Sequence, residues 1–245
     1  MRMRKILEFL FPNYTCLACG CEIDSSLYKH VCDECATSFP TSKLSKVSAK
    51  SILKSLHVDG GKVYLTDIYN PFIYKEPVSK MILALKYTAT GQVAETFAPF
   101  MAKTLGEQII NYDLIIPVPL AKSRFRERGY NQAMVLAEEL LKCFDSNVDI
   151  CDKSLLKLKK TTPQTDMSDE ERKANQKDAY AVCEPITTDG KADIIYGKAK
   201  IKGKRILLID DVLTSGATAN ECAKVLCKSG AKTVSLLCIA RVGCQ

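Results

Sequence analysis

Two sets of side chains in this 245-residue sequence have types and spacings suited to chemistry. One is an acid pair, Asp210 and Asp211, which follows the apolar run Ile206, Leu207, Leu208 and Ile209 and precedes Thr214, Ser215, Gly216, Ala217 and Thr218. Hydroxyls, a permissive glycine and the free N–H groups at a helix start form a site for a phosphate dianion, which the helix dipole also favours. Taken alone, the string also suits a buried strand ending in an Asx turn and a Thr N-cap. It lacks Walker A spacing and a loop lysine, which argues against a nucleoside triphosphatase. The other set is Cys16 and Cys19 with Cys32 and Cys35, two CxxC knuckles separated by residues 20–31. That reach suits tetrahedral Zn²⁺, and four thiolates leave no open position for water, so the site is expected to be structural. A redox pair and an iron–sulfur cluster are the competing uses. Cys21 lies too close to Cys19 to be an easy partner, and His30 is expected to face solvent.

A separate stretch is basic and carries a weaker signal. Lys122, Arg124, Arg126 and Arg128 fall within the stretch 120–132, expected as a loop after the buried strand 113–119, which its prolines terminate. Guanidinium forks suit pyrophosphate oxygens, although a solvated basic loop has the same composition.

The elements that must hold these groups are legible from periodicity. The run 206–209 is short and uninterrupted, as in a strand covered on both faces of a parallel sheet, and ligands bind at the carboxyl ends of such strands. A helix follows with Ala219, Cys222, Ala223 and Leu226 inward and Gly230 at its end, then a last strand over 233–240. Earlier helices present Val78, Met81, Ile82 and Leu85; Phe97, Ala98, Met101 and Leu105; and Tyr130, Ala133, Met134, Ala137, Leu140, Leu141 and Phe144. Residues 62–74 suggest a hairpin, and 36–60 a Ser- and Lys-rich linker with one helical stretch over 49–56. Residues 161–166 read as a polar loop of the kind that acts as a lid, followed by a capping box at Ser168 and Glu171 and a helix to Lys177.

At this length there is room for one α/β domain and a small appendage, and an apolar content of 47% supports a packed core. A net charge of +7 suits a polyphosphate, a nucleic acid or an anionic membrane surface without choosing among them. The apolar runs are too short to span a bilayer, and the cysteines, clustered or scattered and without an export signal, point to a reducing cytoplasm. Residues 1–11 are either a basic amphipathic contact for the inner membrane or a segment packed on its own domain.

The string from Ile206 to Thr218 resembles the phosphoribosyl pyrophosphate (PRPP) signature of type I phosphoribosyltransferases. More widely, the chain resembles the ComF family, linked to DNA uptake in naturally competent bacteria. The resemblance is carried by the paired knuckles, residues 82–87, Ile116-Pro-Val-Pro-Leu120, Arg128-Gly-Tyr-Asn-Gln132, Thr162, Gln164, Arg172, Asn175 and the acid-pair loop. Lysines at 159 and 160 and Tyr130 depart from that pattern. The resemblance implies an α/β type I phosphoribosyltransferase fold with a small hood over residues 60–245, and an N-terminal zinc module over 1–45. It implies that Asp210 and Asp211 hold the ribose hydroxyls, that Thr214 to Thr218 hold the 5′-phosphate, and that Lys86, Leu120, Ala121, Arg124 and Arg128 hold the diphosphate with Mg²⁺. Transfer of phosphoribosyl to an unidentified acceptor is the expected activity. Its alternative is a competence factor that binds single-stranded DNA, among other uptake proteins, and uses the PRPP site as a sensor or not at all.

Overall fold

The computed structural model describes residues 15–23, 30–43, 45–55, 62–87, 90–158, 179–183, 187–188, 191–192 and 198–243. The expected lid, the helix after Ser168 and the segment 1–11 lie outside them.

A seven-stranded sheet organises the chain. Its order is β1 (Lys46–Ser48), β2 (Asp67–Tyr69), β11 (Thr233–Arg241), β10 (Arg205–Leu213), β4 (Leu114–Pro117) and β5 (Asp149–Ile150), and β3 (Phe72–Ile73) also pairs with β11. Every pairing is parallel except β1 with β2. Two antiparallel pairs lie off the sheet: β6 (Leu155–Lys157) with β7 (Tyr180–Val182), and β8 (Thr187–Thr188) with β9 (Lys191–Ala192).

Strand β10 shows why the layers form. Leu207 and Ile209 enter one core, Ile206 and Leu208 the other, and all four are fully buried. The first core is closed by α3 (Val78–Tyr87), α4 (Thr90–Leu105) and α6 (Gln132–Leu141). The second is closed by α2 (Ala49–Ser55), α7 (Lys198–Ile201) and α8 (Ala217–Lys228). Each helix buries the stripe its periodicity marks out, with Val78, Met81, Ile82 and Leu85 inward on α3 and Ala219, Cys222, Ala223 and Leu226 on α8.

Three expectations need correction. Residues 62–74 form no hairpin, because β2 and β3 both run parallel to β11, with Leu237 opposite Tyr69 and Ala240 opposite Phe72. The interruption is at Asn70, whose side-chain amide donates to Phe72 O at 3.0 Å, and at Pro71, which has no N–H to give. The expected linker contributes β1 to the sheet edge, registered so that Lys46 faces Tyr69. The basic stretch after β4 is a helix, α5 (Lys122–Arg128), closed by Gly129 at φ 79°.

The cysteine segment, with its short helix α1 (Asp33–Thr37), packs on the first core. Phe39 is buried among Phe72, Phe97 and Phe100 at centroid distances of 5.2, 5.8 and 5.7 Å. Burying one such ring contributes roughly 1.5–3 kcal/mol. Ile73 N donates to Pro40 O, and Ser42 N to Pro71 O, each at 2.8 Å. Among the described residues no helix is long and apolar enough to cross a membrane.

Candidate functional site

At the carboxyl ends of β4 and β10 the two strands part. β4 stops pairing at Pro117, and the last bond between them runs from Val118 N to Ile209 O at 2.9 Å. β10 continues to Leu213 beside β11 alone. The strand therefore outruns the expected end at Ile209, and Asp210 and Asp211 lie on its unpaired margin, where a cleft opens.

One oxygen of each acid is tied to the backbone: Asp211 N donates to Asp210 Oδ1 at 2.9 Å, and Val212 N to Asp211 Oδ1 at 2.8 Å. Lys86, at the end of α3, places Nζ 2.9 Å from Asp211 Oδ2. Burial pulls the Lys86 ammonium down, but Asp211 and then Asp210 outweigh it, and its pKa lies above the ordinary value. Asp210 is pushed up to about 8, first by burial and then by the charge of Asp211, with Lys86 opposing. Asp210 is half-buried, its carboxyl lying in a cleft that remains open.

Helical spacing sorts the four cations of α5. Arg124 and Arg128, one turn apart, line the cleft, whereas Lys122 and Arg126 line a separate groove on the other side of the helix. Arg128 stacks on Tyr87 at 5.1 Å and donates from Nη1 to Gln132 Oε1 at 3.3 Å. Tyr130 donates its hydroxyl to Leu85 O at 3.1 Å, joining the following turn to α3. Leu120 borders both cavities; Ala121 is the N-cap residue of α5 and lines only the groove.

Thr214, Gly216 and Thr218 line the cleft where α8 begins, with Gly216 at φ 77°. A left-handed turn there brings the backbone close to any ligand, which suits glycine. Ser215 and Ala217 are not among the lining residues; Ser215 Oγ accepts from Ala217 N at 3.4 Å. Lys157 on β6 and Tyr180 on β7 also line the cleft, and sequence reasoning missed both. The signal was weak: Leu155 and Lys157 alternate with exposed Leu156, a pattern shared by any edge strand.

The cysteines form the second cluster. The sulfurs of Cys16, Cys19, Cys21 and Cys32 all lie within 4.8 Å of one another, and Cys19 Sγ is 3.9 Å from Cys32 Sγ. A tetrahedral ion with Zn–S bonds near 2.3 Å needs sulfurs about 3.8 Å apart. Cys35 borders this set, its N–H donating to Cys32 Sγ at 3.5 Å. Amides of Ala18 and Cys32 donate to Cys16 Sγ at 3.4 Å. Burial opposes ionisation of Cys16, yet the backbone N–H of Cys19, and then those of Cys32 and Ala18, hold it at about 6. Cys21 is pushed up to about 12, first by Cys19 and then by Cys32, and Cys35 rises through burial and then Cys19. So many thiols at this spacing cannot all ionise without a cation, and the donor set fits a metal site. Cys21 joins the cluster despite its closeness in sequence to Cys19. His30 does not face solvent: its Nε2 lies 3.2 Å from Glu95 Oε2 on α4.

Sequence comparison with known proteins agrees with this geometry. A phosphoribosyl transferase domain matches residues 126–245. Competence protein F of Haemophilus influenzae is 29% identical over 173 residues, covering 69% of both chains. DNA utilization protein YhgH of Shigella flexneri is 28% identical over 175 residues, again 69% of each. A hypoxanthine phosphoribosyltransferase structure from Staphylococcus aureus overlays 59% of this chain and 62% of its own at 15% identity and a TM-score of 0.34. The sheet order, the acid pair on the unpaired margin of β10 and the matched domain together make this a type I phosphoribosyltransferase fold with an N-terminal cysteine cluster. The chain is thus similar to competence protein F and to YhgH over 69% of its length, with a phosphoribosyl transferase domain matched over residues 126–245.

Proposed function

We propose that the protein binds PRPP in the cleft and transfers its phosphoribosyl group to a nitrogen acceptor as part of DNA uptake. The observation that carries this reading is the meeting, in one cleft, of the acid pair, the cations Lys86, Arg124 and Arg128, and the turn that opens α8. Asp210 and Asp211 would accept hydrogen bonds from the ribose hydroxyls and offset positive charge at the anomeric carbon. Diphosphate leaves with the electron pair of the C1–O bond, held by Arg124, Arg128 and Lys86, and the acceptor nitrogen attacks from the opposite face. Mg²⁺, when bound with the substrate, makes diphosphate a better leaving group. Zn²⁺ is the metal we assign to the cysteines, held by Cys16, Cys19 and Cys32 with Cys35 as fourth ligand and Cys21 as its competitor. The names of the relatives support a place in DNA uptake. A cytoplasmic location, with residues 1–11 resting on the inner membrane, is consistent with the charge.

The test is to incubate the protein with PRPP, Mg²⁺ and a panel of bases and to follow diphosphate release. Release that needs Asp210 and Asp211 supports the transferase. Tight PRPP binding without release would leave a sensor, and absence of PRPP binding would end both readings.

A second reading has its own observation. Lys122 and Arg126 share the groove behind α5 with Tyr130 and with Phe125, which is 50% exposed. Cations beside aromatic faces are what single-stranded DNA binders use for backbone and base. Affinity for an oligonucleotide should then fall steeply with salt and drop in Phe125→Ala, whereas a flat salt response would count against it.

A further inference from the structure

The phosphate-binding turn contains no cation in its own sequence, yet a positive charge reaches it from another element. Lys157 and Tyr180 are direct partners across the β6–β7 pair, so both side chains stand on one face of it. β7 packs on α8, which brings that face over the helix start. Lys157 Nζ lies 5.2 Å from the Tyr180 ring centroid, and both residues line the cleft beside Thr218. Tyr180 is only 4% exposed, and among the described residues its hydroxyl has no hydrogen-bond partner, although Thr218 lies near enough to influence it. No carboxylate among the described residues pairs with Lys157. Among the described residues, a buried hydroxyl without a hydrogen-bond partner and a half-buried ammonium without a paired carboxylate each carry a desolvation cost, which an anion between them would offset.

We infer that Lys157 and Tyr180 form the second wall of the phosphate site, opposite the turn at Gly216, and select a substrate whose ribose carries a 5′-phosphate. The inference rests on the PRPP reading of the cleft. The ammonium and the phenol donate to phosphate oxygens from above, while the turn donates from below. Burial and then the nearby Arg124 lower the Lys157 pKa, as expected of an ammonium awaiting a counter-ion.

Calorimetry on the full chain with inorganic phosphate, ribose 5-phosphate, inorganic diphosphate and Mg²⁺–PRPP separates the possibilities. Lys157→Met should weaken ribose 5-phosphate by about tenfold or more, and Tyr180→Phe by about threefold to tenfold. Neither should change inorganic diphosphate affinity, and Lys157→Arg should recover most of the loss. Equal loss for diphosphate would place Lys157 at the leaving group and overturn the assignment, as would unchanged ribose 5-phosphate binding in both variants. If inorganic phosphate binds in a Lys157-dependent way while PRPP does not bind, this site stands and the transferase reading falls. If the wild-type protein binds neither phosphate nor ribose 5-phosphate, this site fails, and Mg²⁺–PRPP binding alone then decides the transferase reading.

Discussion

The neighbouring strands β4 and β10 carry aspartates at both ends of the sheet, and the two ends treat them in opposite ways. At the amino end, Asp113 accepts from Arg205 N at 2.8 Å, Nε at 3.1 Å and Nη2 at 3.2 Å, and the guanidinium's hydrogen bonds hold its pKa down to about 2. At the carboxyl end, burial and mutual repulsion push Asp210 up to about 8, and among the described residues a single lysine reaches Asp211. The first carboxylate is saturated, so it serves the fold. The second pair is kept short of partners, which costs stability and leaves capacity for a ligand.

The largest expected effect tests that division at the carboxyl end. Asp211→Asn should weaken Mg²⁺–PRPP by roughly 10- to 100-fold in calorimetry, the range for a buried charged hydrogen bond. Unchanged affinity would erase the difference between the two ends. Lys86→Met should cost about tenfold in the same assay, through the loss of one charge-assisted contact.

A pH series sharpens the contrast through its signs. Asp113 has a depressed pKa, so its contribution to stability is present above the ordinary value of 3.8 and is lost as pH falls toward about 2. Asp210 has a raised pKa, so its effect runs the other way: stability declines as pH rises from 3.8 to about 8. Thermal melts should therefore show Asp113→Asn flattening the acid limb and Asp210→Asn the neutral-to-alkaline limb. Near pH 7, Mg²⁺–PRPP binding should release up to one proton from Asp210, seen as a dependence of the calorimetric enthalpy on buffer ionisation. A release that persists in Asp210→Asn would remove that assignment. The smallest effect is at the amino end at neutral pH, where Asp113→Asn should lower Tm by about 2–4 °C and leave PRPP affinity untouched.

What was readable in advance was what short-range pattern determines. The buried run before Asp210, the stripes of α3, α4 and α8, and the meeting of Cys16, Cys19 and Cys32 follow from local periodicity or spacing, whereas the place of Cys21 in that cluster does not. What escaped depends on distant partners. β1, β2 and β3 are two or three residues long, and their directions are set by one another and by β11, from the far end of the chain. α5 has no buried residue and hence no apolar stripe, so charge alone suggested a loop. Lys157 and Tyr180 become a pair only when β6 meets β7 across residues 158–179. His30 meets Glu95 only because Phe39 anchors the cysteine segment on α4.

The backbone bonds to Asp210 Oδ1 and Asp211 Oδ1 bear on how fast the cleft can respond. Strand β10 loses one neighbour just where these acids begin, and their side chains stand in for the missing strand by accepting from the next amide along. Each carboxylate thus has its rotation arrested before any sugar arrives, with its other oxygen left for recognition. On the proposed PRPP reading, docking would require only that Lys86 let go of Asp211, a swap of one cation for two hydroxyls rather than a search through side-chain rotamers.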